Sequence, residues 1–222
     1  SAIANVLKFV GIYQLLYAAI DGVRELILGS AKAFIAYEDA IGKLNAITLA
    51  TGEQSKILSE SIRTVAVETR FTATEVAALA TSLAKLGATS NEIPDLLQPI
   101  ALAAQATGES LDSVGETILK VNNQFGLVAG ESATTAQTLV SAINESALSL
   151  NTFNTAIQYI GPVASQVGYT FAETAEYMKV LADNGFTASR IGTGLRSIFT
   201  DLKKPGEDLT KTLKELADAN IS

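Results

Sequence analysis

Apolar residues recur at helical spacing through nearly the whole chain. After Thr72, for example, Val76, Leu79, Leu83 and Leu86 follow one another at intervals of 3, 4 and 3 positions, which places them along one stripe of an amphipathic helix. Alternating runs of β-branched residues, the usual signature of strands, are missing. The pattern predicts an all-α protein, built as a compact bundle of short helices and helical hairpins.

Short motifs mark where these helices begin and end. In a capping box, a Thr or Ser hydroxyl accepts a hydrogen bond from the amide three residues on, whose Glu or Gln side chain bonds back to the first amide. Such boxes begin at Thr51, Thr72, Thr89 and Thr170. A glycine after the last turn takes the left-handed conformation that ends many helices. The structural caps that we assign are Thr72, Glu75, Gly87, Thr170, Glu173 and Gly185.

Prolines and further caps set the remaining bounds. Pro99 is expected to kink a helix that ends before Gly108, and the step Gly161-Pro162 is expected to interrupt a helix that Asn151 opens. The other predicted helices run from Thr51 to about Glu68, from Ser110 or Asp112 to Gly126, from about Ser132 to Leu148, from about Ser189 to Leu202, and from about Glu207 to Ala219.

Two stretches of the chain resemble each other at a fixed offset of 98 positions. One begins at Phe71 and the other at Tyr169, and each is predicted to form a helix, a glycine turn and a second helix. The positions of the first stretch that meet identical residues in the second are Thr72, Glu75, Ala77, Leu83, Ala84, Gly87, Thr89, Ile93 and Leu97. The two hairpins are then similar halves of one domain, either by duplication or by convergence on the same capping motifs.

Residues 1–36 are predicted to form a long apolar helix, here called the leader, that precedes a core module at residues 37–222. Its longest charge-free stretch, Phe9–Ile20, has 12 residues, whereas a helix that spans a bilayer needs about 20. One interpretation is an amphipathic helix that packs on the domain or on sister copies. The other is a segment that inserts into a membrane under some trigger. The leader residues that we expect to mediate contacts are Leu15, Leu16 and Ile27.

Missing residue types restrict the catalytic chemistry open to the chain to carboxylate, lysine and hydroxyl groups. The chain has no Cys, His or Trp, which excludes disulfides, Cys/His zinc sites, haem ligation and any triad with an imidazole. The single GxG, at Gly192 and Gly194, lacks the third glycine and the preceding strand of a dinucleotide site. Glu75 and Glu173 have a capping role that argues against acid–base chemistry. We therefore expect no enzymatic activity and no cofactor or metal.

The charge argues against direct binding to nucleic acid. The net charge is −7, from 16 basic and 23 acidic residues, and no segment is basic. Nucleic-acid binders usually present a basic face, so we expect no direct contact with DNA. Because the chain starts at Ser1 and its only methionine is Met178, we interpret it as a fragment of a longer chain.

Several motifs occur together in a specific order. They are an F-[ST]-A-x-E-x-A helix at Phe71, an N-x-F-G step at Asn123, an IGPVA step at Ile160, and the pattern LAxxGxxxSRxGTxLR from Leu181. On these motifs, the stretch from about Tyr37 to Leu216 resembles the core region of phage tail tape measure proteins. One departure is Gly194, where that family commonly has alanine.

The resemblance implies a structural virion protein of a long-tailed phage or a related particle. Such a tape measure sets tail length, sits in the lumen or tip of the tail tube, and is released ahead of DNA during genome ejection. The implied partners are further copies of itself (three or six), the tail tube, the tail tip or baseplate and a tail assembly chaperone, with the host membrane as a further candidate during ejection. No catalytic residues belong to this core.

The helix stops add an inference that the resemblance does not carry. A ruler must be an extended helix that rises 1.5 Å per residue, whereas these motifs turn the chain back every 20 to 40 residues or so. We therefore predict a folded terminal or anchoring module and not the ruler itself. The alternative class is a membrane-active, pore-forming helical domain, favoured by the apolar leader and by a charged fraction of only 18%.

Overall fold

The computed structural model describes residues 31–202, and nearly all of them lie in helices. No strand occurs in this range, so the all-α prediction is confirmed. A 3₁₀ turn at Ala129–Glu131 separates α5 from α6. The helices are α1 (residues 31–48), α2 (Gly52–Glu68), α3 (Ala73–Lys85), α4 (Ile93–Thr107), α5 (Leu111–Phe125), α6 (Ser132–Asn144), α7 (Leu150–Val167), α8 (Phe171–Asp183) and α9 (Ala188–Leu202).

Helix α7 runs without interruption through Gly161 and Pro162, so the predicted break at this step is wrong. The helix also begins one residue earlier than expected, because Ser149 accepts a hydrogen bond from the Thr152 amide at 3.1 Å and forms its N-cap. A proline inside a helix costs about 3 kcal/mol through its lost hydrogen bond and its ring clash. Burial of the apolar face of α7, which packs extensively against α9, offsets that cost.

Helix α4 likewise continues through Pro99, but it begins at Ile93 and not at Thr89. Thr89 donates hydrogen bonds from its amide and its hydroxyl to the Glu92 carboxylate, both at 2.8 Å, in the turn before the helix. Pro94 explains the later start. At the second helical position a proline needs no N–H partner, whereas a helix that began at residue 89 would require one there.

Helix α6 ends at Asn144, four residues before the predicted Leu148. The Ala147 amide donates a hydrogen bond of 2.7 Å to the carboxylate of Asp183, at the end of α8. This partner lies 36 positions away in sequence, so the local pattern does not reveal it. The helix thus ends close to the point at which a backbone amide donates its hydrogen bond to a side chain that is distant in sequence.

The apolar stripe of α3 lies in the core, with one exception. Val76, Leu79 and Leu83 are fully buried, but Leu86 is 50% exposed, so its predicted place in the stripe is wrong. The helix ends at Lys85, and Leu86 at the C-cap has left the helical conformation with ψ near 0°. Its side chain therefore no longer follows the stripe.

The helices form two similar groups of three. In the first triplet α2, α3 and α4 contact one another, and in the second triplet α7, α8 and α9 do so. Helices α3 and α8 have the same bounds once the offset of 98 positions is applied, and α2 and α7 differ by one residue at the C-terminal end. Helix α5 packs against α3, α4 and α7, while α6 packs against α4 and α8. These two helices join the triplets into one bundle around a continuous apolar core.

Close approach of α9 to α7 depends on a glycine. A Cβ atom added at Gly192 would lie 3.0 Å from Cδ2 of Tyr159 and 3.1 Å from the carbonyl oxygen of Ala156. The backbone oxygen cannot move away without shifting α7. Gly194, two residues further along α9, has open space around it. The alanine that is common at this position in the family that the motifs resemble therefore fits there.

We predict opposite effects for alanine at these two glycines. Gly192→Ala is expected to lower stability by about 1–2 kcal/mol, because overpacking against α7 exceeds the gain in helix propensity. Gly194→Ala is expected to raise stability by about 0.5–1 kcal/mol through propensity alone. Urea unfolding of both variants measures this, and a stabilised Gly192→Ala variant would show that α7 and α9 are not in close contact.

Candidate interaction surfaces

The caps assigned from the sequence lie at the ends of α3 and α8. Thr72 accepts a hydrogen bond from the Glu75 amide at 3.3 Å and donates one from its own amide to the Glu75 carboxylate at 2.7 Å. Thr170 and Glu173 repeat both bonds at 3.2 and 2.8 Å. Both helices therefore begin with a complete capping box.

The two helices also end alike, at glycines in the left-handed conformation. Gly87 has a φ of +104° and Gly185 a φ of +79°, and each donates its amide proton to the carbonyl three residues before it. The residue after each glycine donates to the carbonyl of Leu83 or of Leu181, at 3.0 and 3.1 Å. This paired bonding closes the open end of a helix and reverses the chain. The six cap residues therefore shape the two hairpins.

Two carboxylates at helix N-termini, those of Glu75 and Glu92, have lowered pKa values. Hydrogen bonds from the amide and the hydroxyl of Thr72 lower the pKa of Glu75 below its ordinary value. The amide and hydroxyl of Thr89 lower the pKa of Glu92 in the same way. A carboxylate that accepts two hydrogen bonds and faces a helix N-terminus is held in its ionised form. This assigns both residues a structural role.

The C-terminal turn of α5 carries the largest set of buried polar contacts outside the caps. Asn122 donates from Nδ2 to the Ser132 hydroxyl at 2.9 Å and accepts at Oδ1 from the Thr135 hydroxyl at 2.8 Å. All three side chains are buried. Because an unpaired polar group in a core is costly, this network fixes α6 against α5 in one arrangement.

The same turn also reaches α7 and α8. The Gln124 side chain lies so close to Gly161 that a Cβ atom there would come within 2.8 Å of its Cδ atom. The ring of Phe125 lies 5.6 Å from that of Phe171, which in turn contacts Phe153 edge-on at 6.0 Å. The N-x-F-G step and the IGPVA step, which are far apart in sequence, therefore meet at one helix crossing.

Sequence reasoning did not identify this junction as a site. Asn122 occupies a position of the apolar stripe of α5, after Leu111, Val114, Ile118 and Val121. A polar residue in such a stripe is a signal for a buried hydrogen bond. The glycine inside the IGPVA step is a second signal, because an interior glycine often marks a close approach.

The other helices of the bundle do not bury the N-terminal part of α1. Residues 31–36 are exposed without exception, and Phe34 and Ile35 have exposed fractions of 63% and 60%. Burial begins at Tyr37, whose ring stacks under the Arg63 guanidinium of α2 at 5.6 Å. Leu49 and Val67 are still more exposed, at 84% and 86%, so exposed apolar surface is not confined to α1. The described helix α1 continues across the predicted boundary between residues 36 and 37.

A shallow groove of about 330 Å³ separates α6 from α8. Lys179 lies in it, with Nζ at 3.3 Å from the carboxylates of both Glu145 and Glu176. Burial alone would lower the pKa of Lys179, but these hydrogen bonds outweigh it and raise the pKa. A 2.7 Å hydrogen bond from Ser141, with the charge of Lys179, lowers the pKa of Glu145. The ammonium group of Lys179 and the two carboxylates thus compensate each other's charge, and their contacts link α6 to α8.

Neither a cluster of metal ligands nor a membrane-spanning helix occurs among the described residues. Within residues 31–202, no three acidic or other ligating side chains converge to hold a metal ion. No helix in this range is both long and apolar enough to cross a membrane. Leu15, Leu16 and Ile27 of the leader lie outside the described residues, as does the predicted helix Glu207–Ala219.

Comparison with known proteins identifies the family. Residues 54–222 match the family described as phage-related minor tail protein. The chain is 27% identical over 188 residues to the tape measure protein of Pneumococcus phage Dp-1, covering 83% of this chain and 16% of that protein. It is 26% identical over 160 residues to the probable tape measure protein of Escherichia phage P2, covering 72% of this chain and 20% of that protein. No solved structure matches the chain.

The chain therefore belongs to the phage-related minor tail protein family, and it is a structural component of the virion tail. The resemblance to tape measure proteins that the motifs indicated is confirmed. The chain spans a fifth or less of the length of the curated relatives that it matches.

We predict that loss of the buried amide at the α5 junction destabilises the fold. Asn122→Ala leaves the hydroxyls of Ser132 and Thr135 without their partner in the core and is expected to cost about 2–3 kcal/mol. Asn123→Ala, at the exposed neighbouring position, is the matched control and is expected to change stability by less than about 0.5 kcal/mol. Chemical unfolding of both variants decides this, and equal stabilities would contradict the role assigned to the network.

Proposed function

We propose that this chain is a folded module of a tape measure protein, part of a longer chain that sets tail length. In this proposal the protein lies in the lumen or tip of the tail tube and leaves ahead of the DNA during genome ejection. The module starts or anchors assembly, and the length itself is set by extended helix elsewhere in the protein. The similarity to two tape measure proteins supports the assignment.

The observation that carries the proposal is the repeated reversal of the chain. Five glycines in the left-handed conformation follow α3, α4, α5, α7 and α8, and the helices between them bury one shared core. As a single helix, residues 31–202 would extend about 260 Å. A compact domain of this size has a radius of gyration of about 16 Å. Such a module contributes little to the length of a tail and much to a defined contact surface.

The partners that we propose follow from this geometry and from the family. Phe34 and Ile35 are exposed apolar residues of the leader, so in this proposal copies of the chain associate through the leader in a narrow tube. We propose a small homo-oligomer of three or six copies, with tube and tip or baseplate proteins and a tail assembly chaperone as further partners. The acidic composition supports sliding past DNA without binding to it.

We predict that deletion of one hairpin disrupts assembly and does not shorten the tail in proportion. An in-frame deletion of Thr72–Leu97 in the full-length protein removes α3 and the start of α4, and it uncovers the apolar faces of α2 and α5. The remaining core is too small to be stable. We expect few or defective particles by electron microscopy, rather than tails shorter by the roughly 40 Å that the same stretch would span as a helix.

A matched deletion of equal length in an extended helical part of the full-length protein is the control. It is expected to give infectious tails that are uniformly shorter by about 40 Å. If the deletion of Thr72–Leu97 gave the same uniform, infectious, shortened tails, the folded-module proposal would be wrong and this stretch would be ruler.

We also predict that the leader is needed for assembly. Leu15→Lys combined with Ile27→Lys places two charges on the predicted contact face, and burying them without partners is unfavourable. We expect a marked loss of particle yield in a plaque and electron-microscopy assay. Glu25→Lys, in the cluster of charged leader residues, is the control and is expected to assemble normally. Normal yield from the double variant would mean that this face is exposed or dispensable.

A further inference from the structure

The turn between α8 and α9 contains a chemically reactive pair of residues. Asn184 is followed by Gly185, and no other asparagine of the chain precedes a glycine. In such a pair the backbone nitrogen of the glycine can attack the side-chain amide carbon of the asparagine, because glycine has no Cβ atom to hinder the approach. Asn184 is half-buried and Gly185 is exposed, so water reaches the pair. These features define a site of deamidation.

The reaction needs no group other than the two residues and water. A bond forms between the backbone nitrogen of Gly185 and Cγ of Asn184, and the bond from Cγ to Nδ2 breaks. Nδ2 leaves as ammonia and carries away the proton of the Gly185 amide, so a cyclic imide remains. Water then opens the ring at either carbonyl carbon. The product is aspartate when the original backbone is restored, or isoaspartate when the backbone continues through Cβ and Cγ.

The folded turn engages both reacting groups in hydrogen bonds. Nδ2 of Asn184 donates to the carbonyl oxygen of Val180 at 2.8 Å. The amide of Gly185 donates to the carbonyl oxygen of Ala182 at 2.9 Å. Attack by the Gly185 nitrogen therefore requires that both hydrogen bonds break first, which is unfavourable in the folded chain. The same contacts that end α8 thus hold the pair unreacted.

The product cannot restore these contacts. A carboxylate at position 184 has no proton to donate to the Val180 carbonyl, whereas the amide of Asn184 has two. It also adds a negative charge at the C-terminal end of α8, where the helix dipole disfavours one and where Asp183 already lies. The turn is therefore weaker after the reaction than before it.

We propose that Asn184 is a self-modification site of this chain, which deamidates when the turn between α8 and α9 opens and which then weakens that turn. Local opening of the turn, and not unfolding of the whole bundle, sets the rate in the folded protein. The modification records irreversibly how often the turn has opened. The inference concerns the chemistry of the chain and does not depend on its role in the tail.

Deamidation rates measured with and without urea test the gating by the fold. The protein is incubated at mildly alkaline pH, and peptide mass spectrometry follows the mass gain that accompanies replacement of the side-chain NH₂ by OH. We expect Asn184 to react at least about tenfold faster in urea than in the folded protein, since the turn is then open throughout. Asn144, which precedes Glu145, is the internal control and is expected to remain unmodified over the same period. Equal rates at Asn184 with and without urea, or faster reaction at Asn144, would overturn the proposal.

A pair of variants separates local opening from global destabilisation. The Phe186 amide donates to the Leu181 carbonyl at 3.1 Å, and its half-buried side chain packs against the core beside the turn. Phe186→Ala is expected to accelerate the reaction of Asn184 in the folded protein several-fold. Phe71→Ala removes a half-buried ring from the first hairpin and is expected to leave the rate unchanged. Equal acceleration by both variants would contradict local gating, and circular dichroism verifies that both remain folded.

A variant that imitates the product tests the effect on stability. Asn184→Asp is expected to lower the melting temperature by about 2–4 °C, because it loses the bond to Val180 and adds a charge that the helix end disfavours. Asn151→Asp makes the same charge change in the first turn of α7, where the dipole favours it, and is not expected to lower the melting temperature. Equal melting temperatures for the two variants would show that the modification does not weaken the turn.

Discussion

The bundle depends on a single turn of backbone at the C-terminal end of α5. Within four residues, Asn122 binds α6, Gln124 packs on α7 and Phe125 packs on the first residue of α8. The turn then ends at Gly126, whose left-handed conformation releases the chain toward α6. Each contact has a different chemistry, namely hydrogen bonding, close approach to a glycine and ring packing. Together they permit one relative arrangement of the two triplets, which small apolar side chains alone would not define.

Much of the remaining core is built from small residues, and glycine sets the distance between its helices. At Gly115 and Gly192 an added methyl group would collide with a neighbouring helix. At Gly161 it would collide with the side chain of Gln124. Helices that approach this closely gain many short dispersion contacts, each of which is weak. The second triplet adds an aromatic cluster, in which Tyr169 stacks on Phe199 with centroids 4.2 Å apart. The core therefore combines many short contacts between small residues with one cluster of large aromatic side chains.

Hydrogen bonds within the chain close the helix ends that form the two hairpins. The capping boxes do so at the start of α3 and of α8, and the glycine turns do so at their ends. The start of α1 exposes Phe34 and Ile35, and further apolar side chains are exposed elsewhere on the bundle, with Leu49 and Val67 at 84% and 86%.

The sequence by itself determined the local structure: the helical periodicity, the capping boxes at Thr72 and Thr170, and the glycine stops at Gly87 and Gly185. These features act over three to six residues, so all of the interacting groups lie close together in the sequence. Family membership followed from the order of the same motifs. The tertiary structure decided where α6 ends, because the Ala147 amide donates a hydrogen bond to Asp183, which lies 36 positions away in sequence. It also decided that α7 continues through Pro162, because burial of the apolar face of α7 outweighs the lost hydrogen bond. It also decided which groups Asn122 contacts, since its hydrogen-bond partners belong to α6 and the sequence around Asn122 does not identify them.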